Sequence, residues 1–233
     1  MYTSFMKIIE FIGYPGSGKS YISTFCEKYF FENKGLRVLS VEDLRNSLLR
    51  TKFKKALWYT KLFISQFYKI SFIVTFFEIL FSRKSLKHLK YYIDIYGSYS
   101  LVRKQANYDY CIISEGFISF ATYLFSNIKD EKVRKEKRER YLRRHLKYIK
   151  KIHLVLRIFN ISEEDTLFHT GQKRNISVQE IKAQIKNNDF NQTTLDHVHN
   201  LEWCEKNSIL IGNIENKYQK DEDIAFQLKK YII

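Results

Sequence analysis

Lys7-Ile8-Ile9-Glu10-Phe11-Ile12-Gly13-Tyr14-Pro15-Gly16-Ser17-Gly18-Lys19-Ser20 is the stretch on which the reading of this 233-residue chain turns. Ile8 to Ile12 is short, apolar and partly β-branched, the composition of a buried strand. It runs directly into Gly13 to Ser20, which matches GxxxxGK[ST] in full. The glycines let the backbone turn back and aim successive N–H groups at phosphate oxygens. The helix opening at the end of the motif adds positive potential at its N-terminus. Lys19 is expected to reach the β- and γ-phosphates of ATP, and Ser20 to ligate Mg²⁺ through its hydroxyl. Gly13, Tyr14, Pro15, Gly16, Ser17 and Gly18 complete the expected nucleotide-binding set.

Outward from this motif, Ile22, Phe25, Cys26, Tyr29 and Phe30 recur at helical spacing, and Gly35 is placed to end that helix. Leu36 to Val41 reads as a second strand. Strand, helix and strand in this order form a βαβ unit, which implies a parallel sheet with a right-handed crossover. Tyr110 to Ser114, His153 to Ile158 and Ile209 to Ile211 read as three further strands, and residues 221–232 as a closing helix. Between the second and third strands aromatics dominate, and no glycine occurs until Gly97. Helices are expected there at roughly 44–65, 67–81 and 84–105. Residues 130–151 form a basic helix with Tyr141, Leu142, Leu146 and Ile149 as its apolar stripe. Residues 162–190 read as helix, loop and helix. The expected fold is α/β: a three-layer, doubly wound parallel sheet of about five strands, a P-loop NTPase, as a single domain over 1–233. A helical insertion, 45–105, lies between strands 2 and 3 on the acceptor side, and a lid-like region spans 160–190.

In such sheets ligands sit beyond the carboxyl ends of the strands. Strand two runs into Glu42-Asp43-Leu44-Arg45. A carboxylate there is placed to accept a proton from an attacking hydroxyl, with Glu42 and Asp43 equally suited. Arg45 is placed to clamp an anionic group. Strand three ends in Ser114-Glu115-Gly116, an acid after four apolar residues, where Glu115 would hold Mg²⁺ or take part in base chemistry. Gly116 would leave room for a ligand or a tight turn.

KIIEFIGYPGSGKSYIS, VEDLR and IISEGF together resemble the P-loop kinases of the nucleoside-monophosphate-kinase-like class. That class includes adenylylsulfate, thymidylate and shikimate kinases and the 5′-hydroxyl polynucleotide kinases. The acid followed by arginine is similar to the adenylylsulfate-kinase and polynucleotide-kinase branch, where the acid faces the acceptor hydroxyl. The resemblance covers about 45 N-terminal residues well and the later strands loosely. It implies cations in a lid after strand four, often spaced R-x-x-x-R. Here that spacing is missing, and Lys173 and Arg174 are the lid cations on offer, with Arg157 inside the strand as a further one.

The net charge of +15 attracts polyanions: nucleic acid, anionic lipid headgroups or phosphorylated small molecules. Eleven Lys or Arg and two acids, Glu136 and Glu139, fall between Lys132 and Lys151. That run reads as an electrostatic funnel, a substrate clamp or a solvated helix face. The aromatic segment 53–81 reads as core and acceptor pocket, or as a surface for peripheral membrane contact. His197-Val198-His199 has metal-binding spacing but no third ligand nearby, and reads as a surface turn. Three well-separated cysteines suit a reducing compartment, and no secretory pattern or spanning apolar run is seen, so a cytoplasmic location is expected. The base-reading NKxD of GTPases is absent, since Asn216-Lys217 continues to Tyr218 and Gln219. The expected activity is transfer of the γ-phosphoryl of MgATP to a hydroxyl of a small metabolite, nucleotide or sugar intermediate, an anionic one on grounds of charge. A polynucleotide 5′-hydroxyl kinase and a non-catalytic regulatory P-loop protein are the alternatives.

Overall fold

The computed structural model describes residues 6–14, 17–41, 52–67, 69–81, 86–102, 107–159, 190–216 and 221–232. Their order is β1 (Lys7–Ile12), α1 (Lys19–Lys34), β2 (Val38–Ser40), α2 (Lys52–Phe67), α3 (Ile70–Phe81), α4 (Leu86–Val102), β3 (Tyr110–Ile113), α5 (Phe117–Phe125), α6 (Glu131–Ile149), β4 (Ile152–Phe159), α7 (Phe190–Lys206), β5 (Leu210–Glu215) and α8 (Asp221–Lys229). The five strands form one all-parallel sheet in the order β2-β3-β1-β4-β5. The strand that feeds the phosphate loop is therefore central, and its neighbours end on either side of that loop. This is the P-loop NTPase fold.

The period-two alternation of β1 sorts its residues between two cores. Ile9 and Phe11 pack with Ile22 and Cys26 of α1 and with Ile224 and Leu228 of α8. Ile8 and Ile12 pack with residues of α5, α6 and α7 on the opposite face. β2 is shorter than the expected 36–41, because only Val38 to Ser40 pair with β3 at the sheet edge. β5 is longer than expected, since Leu210 to Glu215 pair along most of β4.

The aromatic insertion is core on its inner face. Phe72 of α3 and Tyr92 and Tyr96 of α4 pack as stacked and edge-on rings, and Tyr96 meets Phe117 of α5. His145 of α6 sits among them, stacked on Phe117 at 4.8 Å. Its Nδ1 lies 2.8 Å from the Tyr141 carbonyl and its Nε2 3.1 Å from the Tyr92 hydroxyl. Burial pushes this imidazole down to about 4, so it is neutral at pH 7. On the outer face, Leu57, Ile64, Ile70 and Phe81 are exposed. Among the described residues no single helix is long and apolar enough to cross a membrane.

Two readings of the sequence are corrected here. His197 and His199 belong to helix α7, not to a surface turn, and His197 is buried. The helix exists because the polar-looking segment 190–206 carries Leu201, Trp203 and Cys204 on an inward face. The basic run of α6 is also not a uniformly solvated face. Arg134 and Arg138 are buried against Asp196 of α7, with N–O distances of 3.0 and 2.5 Å. Arg144 forms a two-pronged pair with Glu78 of α3, at 2.6 and 2.8 Å.

A carboxylate that compensates two buried guanidiniums is worth most when it is removed, because the charges left behind are desolvated. Asp196→Ala is expected to destabilise the fold by roughly 3–5 kcal/mol, with Asp196→Asn between it and wild type. Urea-unfolding midpoints of the three proteins measure this. A shift below about 1 kcal/mol for the alanine variant, the level of an exposed pair, contradicts it.

Candidate functional site

The phosphate loop is braced by the end of β5. Asn216 is buried, and its Nδ2 donates to the Ser17 carbonyl at 2.8 Å. Gly18 has φ +88, and a Cβ there would come within 2.1 Å of that same amide nitrogen. Only glycine meets both demands without strain. Ser17 N–H donates to the Tyr14 carbonyl, which tightens the turn. Lys19 opens α1 and folds its ammonium back onto the loop, donating to the carbonyls of Gly13 at 2.7 Å and Tyr14 at 3.1 Å.

Lys19 and Ser20 border a cavity of about 360 Å³. Across it stand Ser114 and Glu115 from the end of β3, and Tyr91, Asp94 and Ser98 from α4. The cavity adjoins a wider recess that shares Tyr91, Asp94 and Glu115 and adds His88, Lys90 and Tyr123. The fold thus brings Glu115 to the cavity of Lys19 and Ser20, from which it is far removed in sequence. Tyr59 of α2 donates its hydroxyl to the Asp94 carboxylate, so the insertion orients an acid of the cavity wall. Burial, and then the nearby Glu115 carboxylate, hold the Tyr91 hydroxyl well above its ordinary value, so it remains a proton donor.

Gly13, Tyr14, Ser17 and Gly18 occupy the loop as expected. Pro15, Gly16, Glu42, Asp43, Arg45, Lys173 and Arg174 lie outside the described residues. So does the 160–189 part of the expected lid. Val41, immediately before Glu42, lines the cavity. Ser20 and Glu115 offer a hydroxyl and a carboxylate oxygen, hard donors that fit Mg²⁺, an ion that takes few protein ligands and completes its shell with phosphate and water. Among the described residues no group of three His, Cys, Asp or Glu side chains could hold a metal ion.

Glu10 is the residue that sequence patterning passes over. It sits in the middle of the apolar β1, with no exposed surface. Its Oε1 accepts from the backbone N–H groups of Ile118 at 3.1 Å and Ser119 at 3.0 Å, the first turn of α5. The Tyr99 hydroxyl donates to Oε2 at the long distance of 3.5 Å. A Cβ on Gly116 would fall 2.4 Å from Oε2. The room that Gly116 leaves is therefore filled by the Glu10 carboxyl, not by a ligand or a turn. A lone acid inside an apolar strand next to the phosphate motif was the available signal. Burial raises Glu10 to about 7, against the opposing effect of the amide hydrogen bonds.

No protein-family model matches this chain. No curated protein matches it either. Solved structures that resemble it include TT1252 from Thermus thermophilus, with 14% identity, a TM-score of 0.48, and coverage of 97% of this chain and 95% of that one. Deoxyadenosine kinase from M. mycoides with bound dATP has 15% identity and a TM-score of 0.47, over 96% of this chain and 98% of that one. The same enzyme with bound dCTP has 14% identity and a TM-score of 0.46, over 96% and 97%. The fold assignment itself follows from the strand order and the loop after the central strand.

An acid raised from 4.5 to about 7 by folding binds more protons in the native than in the unfolded state between those values. Stability should therefore fall as pH rises from 4.5 through 7, by roughly 3 kcal/mol for this group. Glu10→Gln keeps an oxygen for the two amides and cannot ionise. Its urea midpoint is expected to lose that part of the pH slope and to exceed wild type at pH 8. Parallel pH profiles for the two proteins would contradict the burial argument.

Proposed function

We propose that this protein is an ATP-dependent phosphotransferase that moves the γ-phosphoryl of MgATP to a hydroxyl of a small acceptor. The observation that carries the reading is one cavity bordered on one side by Lys19 and Ser20 and on the other by Glu115, Asp94 and Tyr91. Lys19 neutralises charge on the phosphates, and Ser20 with Glu115 holds Mg²⁺. Glu42 or Asp43, directly after the cavity-lining Val41, takes the acceptor proton. Arg45, Lys173 and Arg174 clamp phosphate. Such transfer depends mainly on positioning and electrostatic stabilisation.

The acceptor side favours a molecule rich in hydroxyls, of sugar or nucleoside size. Asp94, Glu115, Ser98 and Tyr91 are hydrogen-bonding groups, and two of them are acids. Acids at the acceptor wall repel a polyanion, which weighs against a polynucleotide end and against the anionic acceptor suggested by net charge. Lys90 and His88 border only the wider recess.

The test is transfer of labelled γ-phosphate to pooled sugars and nucleosides. Lys19→Ala is expected to lower transfer by about a hundredfold or more. Asp94→Asn is expected to act chiefly on the acceptor KM. MgATP at 100 times its Kd should stabilise wild type by about 2.7 kcal/mol, and the lysine variant by much less. Binding without transfer to any acceptor would favour a regulatory nucleotide-binding protein. No stabilisation by any nucleotide would overturn the reading.

A further inference from the structure

The α2–α3 pair turns an apolar face outward. Ile70, Val74, Phe77 and Phe81 recur at the i, i+4, i+7 and i+11 positions of α3, and all four are exposed. Phe72, Thr75 and Ile79 are buried on the opposite side of the same helix. On α2, Leu57 and Ile64 are exposed two turns apart, and the exposed Lys54 and Lys61 share their stripe. A run of neighbouring rings joins the two stripes. Phe67 meets Phe63 at 5.2 Å between centroids, Phe63 meets Phe76 at 5.4 Å, Phe76 meets Phe77 at 5.7 Å, and Phe77 meets Phe81 at 5.8 Å. Ile70 and Phe81 are 79% and 77% exposed, so they stand out from the surface instead of lining a recess.

The charge of this pair has one sign. From Lys52 to Phe81 the sequence holds five lysines and one acid, Glu78. Glu78 is already neutralised by the two-pronged contact with Arg144 of α6. What the pair offers outside is therefore apolar surface flanked by positive charge. A contiguous apolar patch of this kind marks a contact surface. A second copy of this chain in a two-fold pairing would set lysine-bearing α2 against its own equivalent with no spare acid to compensate, which disfavours self-association. A surface of hydrocarbon and anionic headgroups matches both properties. The chain bends by 115° between Leu57–Phe67 and Ile70–Phe81. Two helix axes at an angle can both lie parallel to one flat surface.

We infer that the outer face of the α2–α3 pair rests on an anionic lipid bilayer, with Ile64, Ile70, Phe77 and Phe81 entering the headgroup boundary and Lys61 meeting the headgroups. Aliphatic and aromatic side chains that protrude from a helix gain from leaving water at that depth. A lysine in the same stripe can bury its stem and keep its ammonium among lipid phosphates and carboxylates. Among the described residues no single helix is long and apolar enough to cross a bilayer, so the contact lies in the plane of the interface. The inner faces of both helices stay packed on α4, so binding requires no unfolding. This inference stands apart from the phosphotransferase reading and does not need it.

Co-sedimentation of the whole chain with vesicles of phosphatidylcholine, with and without phosphatidylserine, tests it. Wild type is expected to partition onto the serine-containing vesicles and much less onto phosphatidylcholine alone. Ile70→Asn combined with Phe81→Asn, both at exposed positions, should weaken partitioning about tenfold or more. Lys61→Gln should weaken it about fivefold. Lys137→Gln removes the same charge from an exposed site on α6 and should change it by less than about twofold, because the headgroup field decays within a Debye length. Urea midpoints of all variants confirm that they fold. Equal partitioning onto both vesicles, none onto either, or equal losses for Lys61→Gln and Lys137→Gln overturns the inference, the last because attraction would then follow net charge and not this face. A lipid-free dimer, seen by sedimentation equilibrium and abolished by the double asparagine variant, also overturns it and makes the face an interface between copies.

Discussion

A single buried carboxylate ties the phosphate-loop end of this sheet together. Glu10 lies on the central strand three residues before the phosphate loop, and binds the first amides of α5 three residues after Glu115. Strand β1 sets where the loop begins, and the α5 start sets where β3 releases its acid. The carboxylate joins the two at hydrogen-bond distance, so the spacing between Lys19 and Glu115 is inherited from it. The amides are unpaired donors of a helix N-terminus, and an acceptor there relieves them and gains from the helix dipole. Desolvation opposes the charge that would make these bonds strongest. The result is a group near half-ionisation at neutral pH, in a place where an apolar residue would have left two buried amides unmet.

Charge is organised by the same logic. The excess of basic residues suggests a surface built for polyanions. Yet Arg134, Arg138 and Arg144 are committed to Asp196 and Glu78 inside the protein, where they bind α6 to α7 and to α3. Paired in this way they add little field outside, and the eight other basic residues of the run remain for it. The acids that give the cavity its sign, Asp94 and Glu115, lie on different elements from that run. Net charge is therefore a poor guide to what the cavity prefers.

Strand-forming and loop-forming residues were legible because their signals are local. GxxxxGK[ST] after a β-branched run specifies strand, loop and helix within fourteen residues, and each later apolar strand is short, continuous and followed by a break. What could not be read locally depends on partners distant in sequence. Asn216 looked like a failed GTPase motif, and only the adjacency of β5 to the loop makes it a brace for Ser17. His197 and His199 looked like a polar turn, because the aromatic and aliphatic residues that bury α7 lie one or two turns later. Glu10 looked like an interruption in a strand, and its partners lie 108 and 109 residues away. The bounds of β2 and β5 depended on how much of β3 and β4 lay alongside, which is a property of the sheet.

The two sides of the cavity differ in how they are built, and this bears on specificity. The phosphate-loop side is backbone: a loop held by β1, β4 and β5, whose shape is fixed by close approaches at Gly13 and Gly18. The opposite side is side chain: Tyr91, Asp94 and Ser98 project from α4, which is seated on α3 and α5 by stacked rings and steadied by Tyr59. Aromatic packing holds a helix firmly while leaving its polar face free to vary. On the phosphotransferase reading proposed above, a substitution at Tyr91, Asp94 or Ser98 would alter the acceptor side and leave the close approaches at Gly13 and Gly18 in place. Under that reading, donor binding would rest on backbone geometry, and acceptor choice on a few side chains of one helix.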